Sequence, residues 1–559
     1  MSCELQAERL IHTHELTFDR DSCLAAEGRQ HLVAALLKHL PEPSSPVVLA
    51  ARPEPASNAT QANRSRKGLH SSKMKHSYDP TTAFILELST VLASRDKTSI
   101  VLLGESVADA LQTLLRGASR IDSGLLSRVI FYLFYLMEAS QRLQDHALLK
   151  TPVVLHTISG FELTTLESVA TATLKGLALC LSERSALRSE IVNSPDFWLI
   201  LSQLHSSAEA AASIFEIVQR IVLAEPVAIT ADNYISTISL LNSFATAGRL
   251  GAAIEQQEAR KLAAQTRDRN AARSSDMPPK APTSQDKEIV FRGFEAVSLI
   301  FHMTHRIPGL IERSQLESGE AWMSYWTPVL QRLQGQCLNP CRKIRRQACA
   351  LLQNALLSPP LSPESETQWF LVFRIVLFGL ISRLLKPEIR LADPSGMNET
   401  RSQALNILCR TFLHHLPRLA EERELSILWL EILDIMERLM GSSDGDNLEE
   451  AIPESLKNML LVMAGSGILQ PPAAGEEPMH LWTETRKAVD RFLPDLIDEL
   501  FSQKTVSPLN SLQSAVQTDQ LSRTSEERSR NSRRGDTINQ HQMQDHEPMG
   551  LSGSKAQEE

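Results

Sequence analysis

Cys337, Cys341 and Cys349, together with His414 and His415, are the residues whose types most readily suggest chemistry. Structural zinc is held in a tetrahedron by four Cys or His side chains, usually as two closely spaced pairs. Cys337 and Cys341 supply one CxxxC spacing, but no matching second pair follows, and cysteines inside helical text are more often small core residues. His12 and His14 share a short polar stretch and read as solvated. The sequence contains no GxxxxGK[ST], no GxGxxG after a strand, no HExxH and no GxSxG. Carboxylates are plentiful, yet no spacing singles out an acid–base pair. Catalytic, cofactor-binding and metal-ligating residues are therefore assigned as none.

Weaker signals lie in polar segments. Arg64, Arg66, Lys67, Lys73 and Lys75 form a basic cluster that would gain about 1 kcal/mol per charge beside anionic lipid. It lacks interleaved large apolar residues, so a solvated linker is the simpler reading. Asn58–Thr60 and Asn63–Ser65 match the glycosylation triplet by chance in a chain without a secretory signal. Ser362-Pro363 and Ser507-Pro508 sit where a kinase could reach them.

The elements that would position any site read as helices. Of 559 residues, 42% are hydrophobic and only 5% aromatic, a balance that favours helices over a sandwich or barrel. Net charge is −9 with both signs interspersed, which gives no footprint for nucleic acid. Seven cysteines over this length do not make a disulfide framework. The most apolar runs, 129–137 and 370–381, fall short of the ~20 residues a bilayer span requires, so the chain reads as soluble or at most peripheral.

Start signals recur along the chain. Asp79-Pro80 and Ser194-Pro195-Asp196 combine an N-cap residue with proline in the first helical position. Apolar faces follow at helical spacing: Phe84, Leu88, Val91 and Leu92; Ile344, Ala348, Leu351, Leu352 and Ala355; Trp429, Leu433, Met436 and Met440. In "EEAIPESLKNMLLVM" (449–463) the pattern predicts a helix from Pro453 that buries Leu456, Met459, Leu460 and Met463 and leaves Lys457 and Asn458 polar. Helix pairs recur every ~40 residues, the period of HEAT and armadillo units. The expected architecture is all-α, an irregular HEAT/armadillo-like solenoid in two blocks. Its parts are an N-terminal helical segment (1–40), a disordered linker (41–78), a helical block (79–264), a linker (265–287), a second block (288–503) and a disordered tail (504–559).

Several segments in order resemble the large Golgi-specific brefeldin-A-resistance Arf guanine-nucleotide exchange factors, the GBF/Gea/GNOM class, and the fungal members in particular. They are "TPVVLHTISGFE" (151–162), "LRSEIVNSPDFWLIL" (187–201), "ADNYISTISLLNSFATAG" (231–248), "PCRKIRRQACALLQNALL" (340–357), "RSQALNILCRTFLHHL" (401–416), "LWLEILDIMERLM" (428–440), 449–463 and "RFLPDLIDELF" (491–501). The likeness covers most of 79–503. It implies that 79–264 corresponds to a homology region downstream of the family's Sec-7 domain, and 288–503 to its C-terminal homology region.

That family activates Arf GTPases on early Golgi membranes through the Sec-7 domain, whose acidic finger displaces magnesium and phosphate. The nearest text to that finger is "IPGLIER" (307–313), with Leu310 where the glutamate is needed, so no catalytic residue carries over and no enzyme activity is expected of this chain. The resemblance implies a regulatory or targeting module, cytoplasmic and peripheral on Golgi membranes, whose partners are Golgi trafficking proteins; it is read as a fragment or a separately encoded half. The rival reading is a free-standing α-solenoid adaptor unrelated to Arf.

Overall fold

Helix starts are set by side chains that occupy the free N–H groups of the first turn. Asp96 accepts from the Ser99 amide at 2.8 Å and opens the helix Lys97–Arg116 (α1). Thr230 with Asn233, and Thr283 with Asp286, form reciprocal capping boxes at two later helices. The computed structural model describes residues 26–40, 80–144, 150–182, 187–246, 248–267, 283–358, 367–421, 423–442, 448–472 and 479–502. Among these residues all regular structure is helical. The histidines near the start, the basic cluster, the glycosylation triplets, both Ser-Pro sites and Asp79 lie outside the described residues.

The helices used below are, after α1, Ser123–Gln144 (α2), Ala170–Cys180 (α3), Pro195–Leu204 (α4), Ala231–Ala245 (α5), Gly248–Arg267 (α6), Ser284–His302 (α7), Ser318–Gln336 (α8), Arg342–Leu356 (α9), Pro394–Leu419 (α10), Leu425–Gly441 (α11) and Leu448–Gly465 (α12). The chain divides into two compact units, Met1–Met459 and Leu460–Glu559.

Within the first unit α2 packs on α1 and α3, α5 on α4, α7 and α8, and α9 on α7, α8 and α10. The α2–α3 contact is apolar and close. A Cβ on Gly176 would lie 2.3 Å from the Phe134 ring, so only glycine lets the two helices approach this far. Helices from the two expected blocks touch directly, since α5 and α6 both pack on α7. The ends of the stretch 265–287 are helical, because α6 runs to Arg267 and α7 begins at Ser284.

Between Thr367–Leu371 and Gly379–Leu384 the chain winds as a π-helix over Val372–Phe378. Gln334 of α8 reaches across and donates from Nε2 to the carbonyls of Ile375 (3.2 Å) and Val376 (3.0 Å). A side chain inserted into a helical ladder is a recognised cause of such local rewinding. Gly379 leaves the room, since a Cβ there would sit 2.8 Å from that amide nitrogen.

Three local expectations need correction. In the helix Pro80–Ala93 the buried side is Ile85, Leu86, Ser89 and Leu92, whereas Phe84 is 58% exposed and Leu88 and Val91 are half-buried. Its polar residues do not mark a solvent face, because Thr82, Ser89 and Thr90 are buried while Phe84 is exposed, so apolar periodicity does not choose the side. Ser194 makes no side-chain cap on α4. Its neighbour Asp196 instead accepts from Ser159 Oγ at 2.6 Å and pairs with His156. Finally, Pro453 lies inside α12, which starts five residues earlier at Leu448. The buried face of that helix is as read: Leu456, Met459, Leu460 and Met463 are fully buried, while Leu461 and Val462 stay exposed.

Among the described residues one helix, α1, has the length and apolar content of a membrane span. Half of it is buried, along Ile100, Leu103, Val107 and Leu111, and it also carries Glu105 and Asp109.

In the second unit Trp482 meets Phe501 edge-on at 5.0 Å, and Arg486 holds Asp498 at 2.7 Å. Asp495 adopts φ 74° just before the last helix, a conformation that aspartate tolerates better than most residues.

Candidate functional site

The most elaborate polar arrangement is a cleft of about 830 Å³ in the first unit, lined among others by Glu255, Phe294, Arg342, Lys343, Arg346, Glu388 and Asp393. Its floor is the start of α9, the "CRKIRR" text. Arg345 lies within the apolar stripe of that helix, between Ile344 and Ala348, and is only 1% exposed. Burying a guanidinium is costly unless every donor is met. Here Nε donates to Thr400 Oγ1 (2.8 Å), Nη1 to the Asn339 carbonyl (2.6 Å) and Nη2 to Asp393 (2.6 Å).

Asp393 has a second cation, Arg342, which grips it with both Nε (2.8 Å) and Nη2 (2.5 Å). Burial alone would raise the Asp393 carboxyl, but the hydrogen bonds from Arg342 and Arg345 outweigh it and hold the group down at about 2. The same carboxylate caps α10 through the Gly396 amide. Gly396 has no alternative, because a Cβ there would stand 2.1 Å from Asp393 and 2.5 Å from Arg345.

Glu255, from α6, plays the matching part at the other side of the cleft. It accepts from the backbone amides of Arg342 (2.9 Å) and Lys343 (3.0 Å), capping α9 from another helix where the helix dipole favours a negative charge. Cys341 Sγ donates to it at 3.2 Å, and burial pushes that thiol up to about 11. Beside it, Asn339 donates to the Ala245 carbonyl at 2.8 Å and Gln336 to Asn242 at 2.8 Å, tying the ends of α5 and α8 together. Lys343 sits over the Phe294 ring, 4.9 Å from its centre.

General acid–base work needs a group that titrates near neutral pH. Asp393 is held far below that range and Cys341 far above it. Arg346 is engaged by Glu399, and the Glu255 carboxylate by two amides. The arrangement is a structural joint between five helices.

Of the residues weighed as ligands, the Cys337 and Cys349 thiols hydrogen-bond to one another, and His414 meets His415 edge-on at 4.7 Å. Among the described residues no group of three or more His, Cys, Asp or Glu is placed to hold a metal ion. Cys337, Cys341 and Cys349 are free and buried. His415 turns its Nε2 to the Leu356 carbonyl at 3.0 Å and stacks on Trp369, and its burial drives its pKa down to about 4. Leu310, in the "IPGLIER" text, is a buried residue of a short helix. Sequence reasoning missed Glu255, Arg345 and Asp393. A charged residue inside an otherwise apolar stripe was the available signal for Arg345.

Comparison with known proteins agrees with the resemblance. Residues 326–496 match a family model described as a GBF1-like tetratrico peptide repeat region. A Golgi-specific brefeldin A-resistance guanine nucleotide exchange factor 1 homolog of Caenorhabditis elegans is 36% identical over 179 residues, 32% of this chain and 9% of the relative. The ARF guanine-nucleotide exchange factor GNOM of Arabidopsis thaliana is 25% identical over 464 residues, 80% of this chain and 29% of that protein. ARF guanine-nucleotide exchange factor 2 of Saccharomyces cerevisiae is 22% identical over 297 residues, 53% of this chain and 18% of its own length. The chain thus spans less than a third of each of these relatives, and over that span it is homologous to the Arf guanine-nucleotide exchange factors of the GBF1/GNOM class.

Proposed function

We propose that the chain is a non-catalytic helical module of an Arf guanine-nucleotide exchange factor, acting in Golgi vesicle traffic as a cytoplasmic, peripheral membrane component. The alignment with GNOM over 80% of the chain carries this reading. The family model that matches 326–496, which describes a repeat region, accords with it. The engagement of Asp393 by two arginines and of Glu255 by backbone amides supports it.

Its mechanism is scaffolding. The stacked helices, which we read as an irregular HEAT/armadillo-like solenoid with blocks at 79–264 and 288–503, hold surfaces at fixed spacing. Golgi trafficking proteins dock on those surfaces, and the docking biases where and when exchange occurs.

The test uses the purified chain and an Arf GTPase loaded with a fluorescent nucleotide. No acceleration of nucleotide release is expected, and clear acceleration overturns the non-catalytic assignment. A tagged chain in cells is expected to concentrate at the Golgi. Diffuse staining with no Golgi enrichment favours a free-standing adaptor instead.

A further inference from the structure

Three helices of the first unit repeat one short pattern that the proposed function leaves unused: Asp196-Phe-Trp-Leu199 on α4, Asp232-Asn-Tyr-Ile235 on α5 and Glu320-Ala-Trp-Met323 on α8. In each, the acid lies in the first turn and the next two residues are buried. The residue three after the acid is then a large apolar side chain left in solvent, 45% exposed at Leu199, 48% at Ile235 and 43% at Met323.

The three helices lie side by side and point the same way. At their starts, Thr230 Oγ1 donates to Asn193 at 2.6 Å, and Tyr234 donates its hydroxyl to the Tyr325 carbonyl at 2.6 Å. At their ends, His205 meets Phe244 at 6.3 Å and Asn339 reaches Ala245. An acidic row and an apolar row therefore run in parallel across adjacent helices.

Scattered exposed apolar residues are normal and need no explanation. An aligned set is different, and its surroundings restrict what can cover it. Neither α4 nor α5 contains a lysine or arginine, and their other exposed positions include Ser202 and Ser239. Asp232 and Glu320 have no ion-pair partner among the described residues, while Asp196 is shared with His156. An anionic membrane would meet this acidic row unfavourably. A cationic, amphipathic protein segment would meet both rows favourably. Adjacent helix axes lie ~8–10 Å apart, and seven residues of an α-helix advance about 10.5 Å.

We infer that this ridge docks a helical segment of a protein partner that carries an apolar residue at every seventh position with lysine or arginine beside it. The inference does not depend on the Arf assignment.

The probe is a fluorescein-labelled synthetic helix of three heptads with leucine at every seventh position and flanking lysines, titrated against the full chain by anisotropy. Ile235→Lys and the double variant Asp232→Lys/Glu320→Lys alter exposed side chains, so circular dichroism should match the parent. Each is expected to weaken binding at least tenfold, and replacing the peptide's lysines by glutamate is expected to abolish it. Binding that ignores both variants overturns the proposal. So does absence of binding to the parent chain, or Ile235-dependent flotation with phosphatidylserine vesicles in place of peptide capture.

Discussion

Between α2 and α3 the helices meet through an apolar surface in which Gly176 faces the Phe134 ring. Between α9 and α10 they meet through Arg342, Arg345, Asp393 and Thr400, with a buried guanidinium at the centre. An apolar contact is stabilised roughly in proportion to the area removed from water and tolerates small shifts. A buried ion pair adds little net stability, because desolvation offsets much of its attraction, but it becomes very costly when one partner is lost. The stack supplies cohesion. The joint ties α5, α6, α8, α9 and α10 together through hydrogen bonds of fixed geometry.

The largest effect should come from removing the anion of the joint. Asp393→Ala leaves Arg345 charged and buried and uncaps α10, so a loss of about 3–5 kcal/mol is expected in urea unfolding. A loss below about 1 kcal/mol would erase the contrast with the stack.

Acid should reveal the same group without mutation. Its folded pKa, about 2, lies below the unfolded value, so its contribution is complete above the ordinary aspartate range and fades as pH falls through the folded value. Stability of the parent should drop by roughly 2 kcal/mol more than that of Asp393→Asn between pH ~5 and ~2. Equal acid sensitivity in both proteins would assign the pH dependence elsewhere.

The stack is probed by Gly176→Ala. The added methyl collides with the Phe134 ring, and overpacking of this kind costs about 1–3 kcal/mol. Phe134→Leu should recover part of that loss in the double variant, whereas no second substitution of an apolar residue should rescue Asp393→Ala. Smallest of all is Arg346→Ala, which removes a 2.6 Å pair with Glu399 that is half in solvent on both sides. Thermal unfolding should register less than about 0.5 kcal/mol.

Periodicity read from the sequence located most of the buried faces of α9, α11 and α12, although Leu351 and Met440 are only half-buried. Trp429, Leu433 and Met436 are buried, as are Ile344 and Leu352. It failed on Pro80–Ala93, where the small hydroxyl residues Thr82, Ser89 and Thr90 are buried and Phe84 is exposed. Nor could local text anticipate Glu255, whose partners lie 86 to 88 residues away and which reads as one more surface glutamate on α6. Proline suits a first turn, so the sequence points to a start at Pro453, yet α12 accommodates it inside its second turn. Residue type alone makes His415 a candidate ligand, whereas the structure packs it on Trp369 and turns its Nε2 to the Leu356 carbonyl.

The hydrogen bond from Asn339 to Ala245 spans 94 residues of chain. During synthesis that distance is time. At ~5–20 residues per second the carbonyl at the end of α5 waits roughly 5–20 s for its partner to leave the ribosome. Helices α2 and α3, whose Cys180–Phe134 bond spans only 46 residues, can dock well before then. Through that interval α5 and α6 are exposed without Asn339 and the amides that Glu255 caps, and a nascent-chain chaperone would find its substrate there.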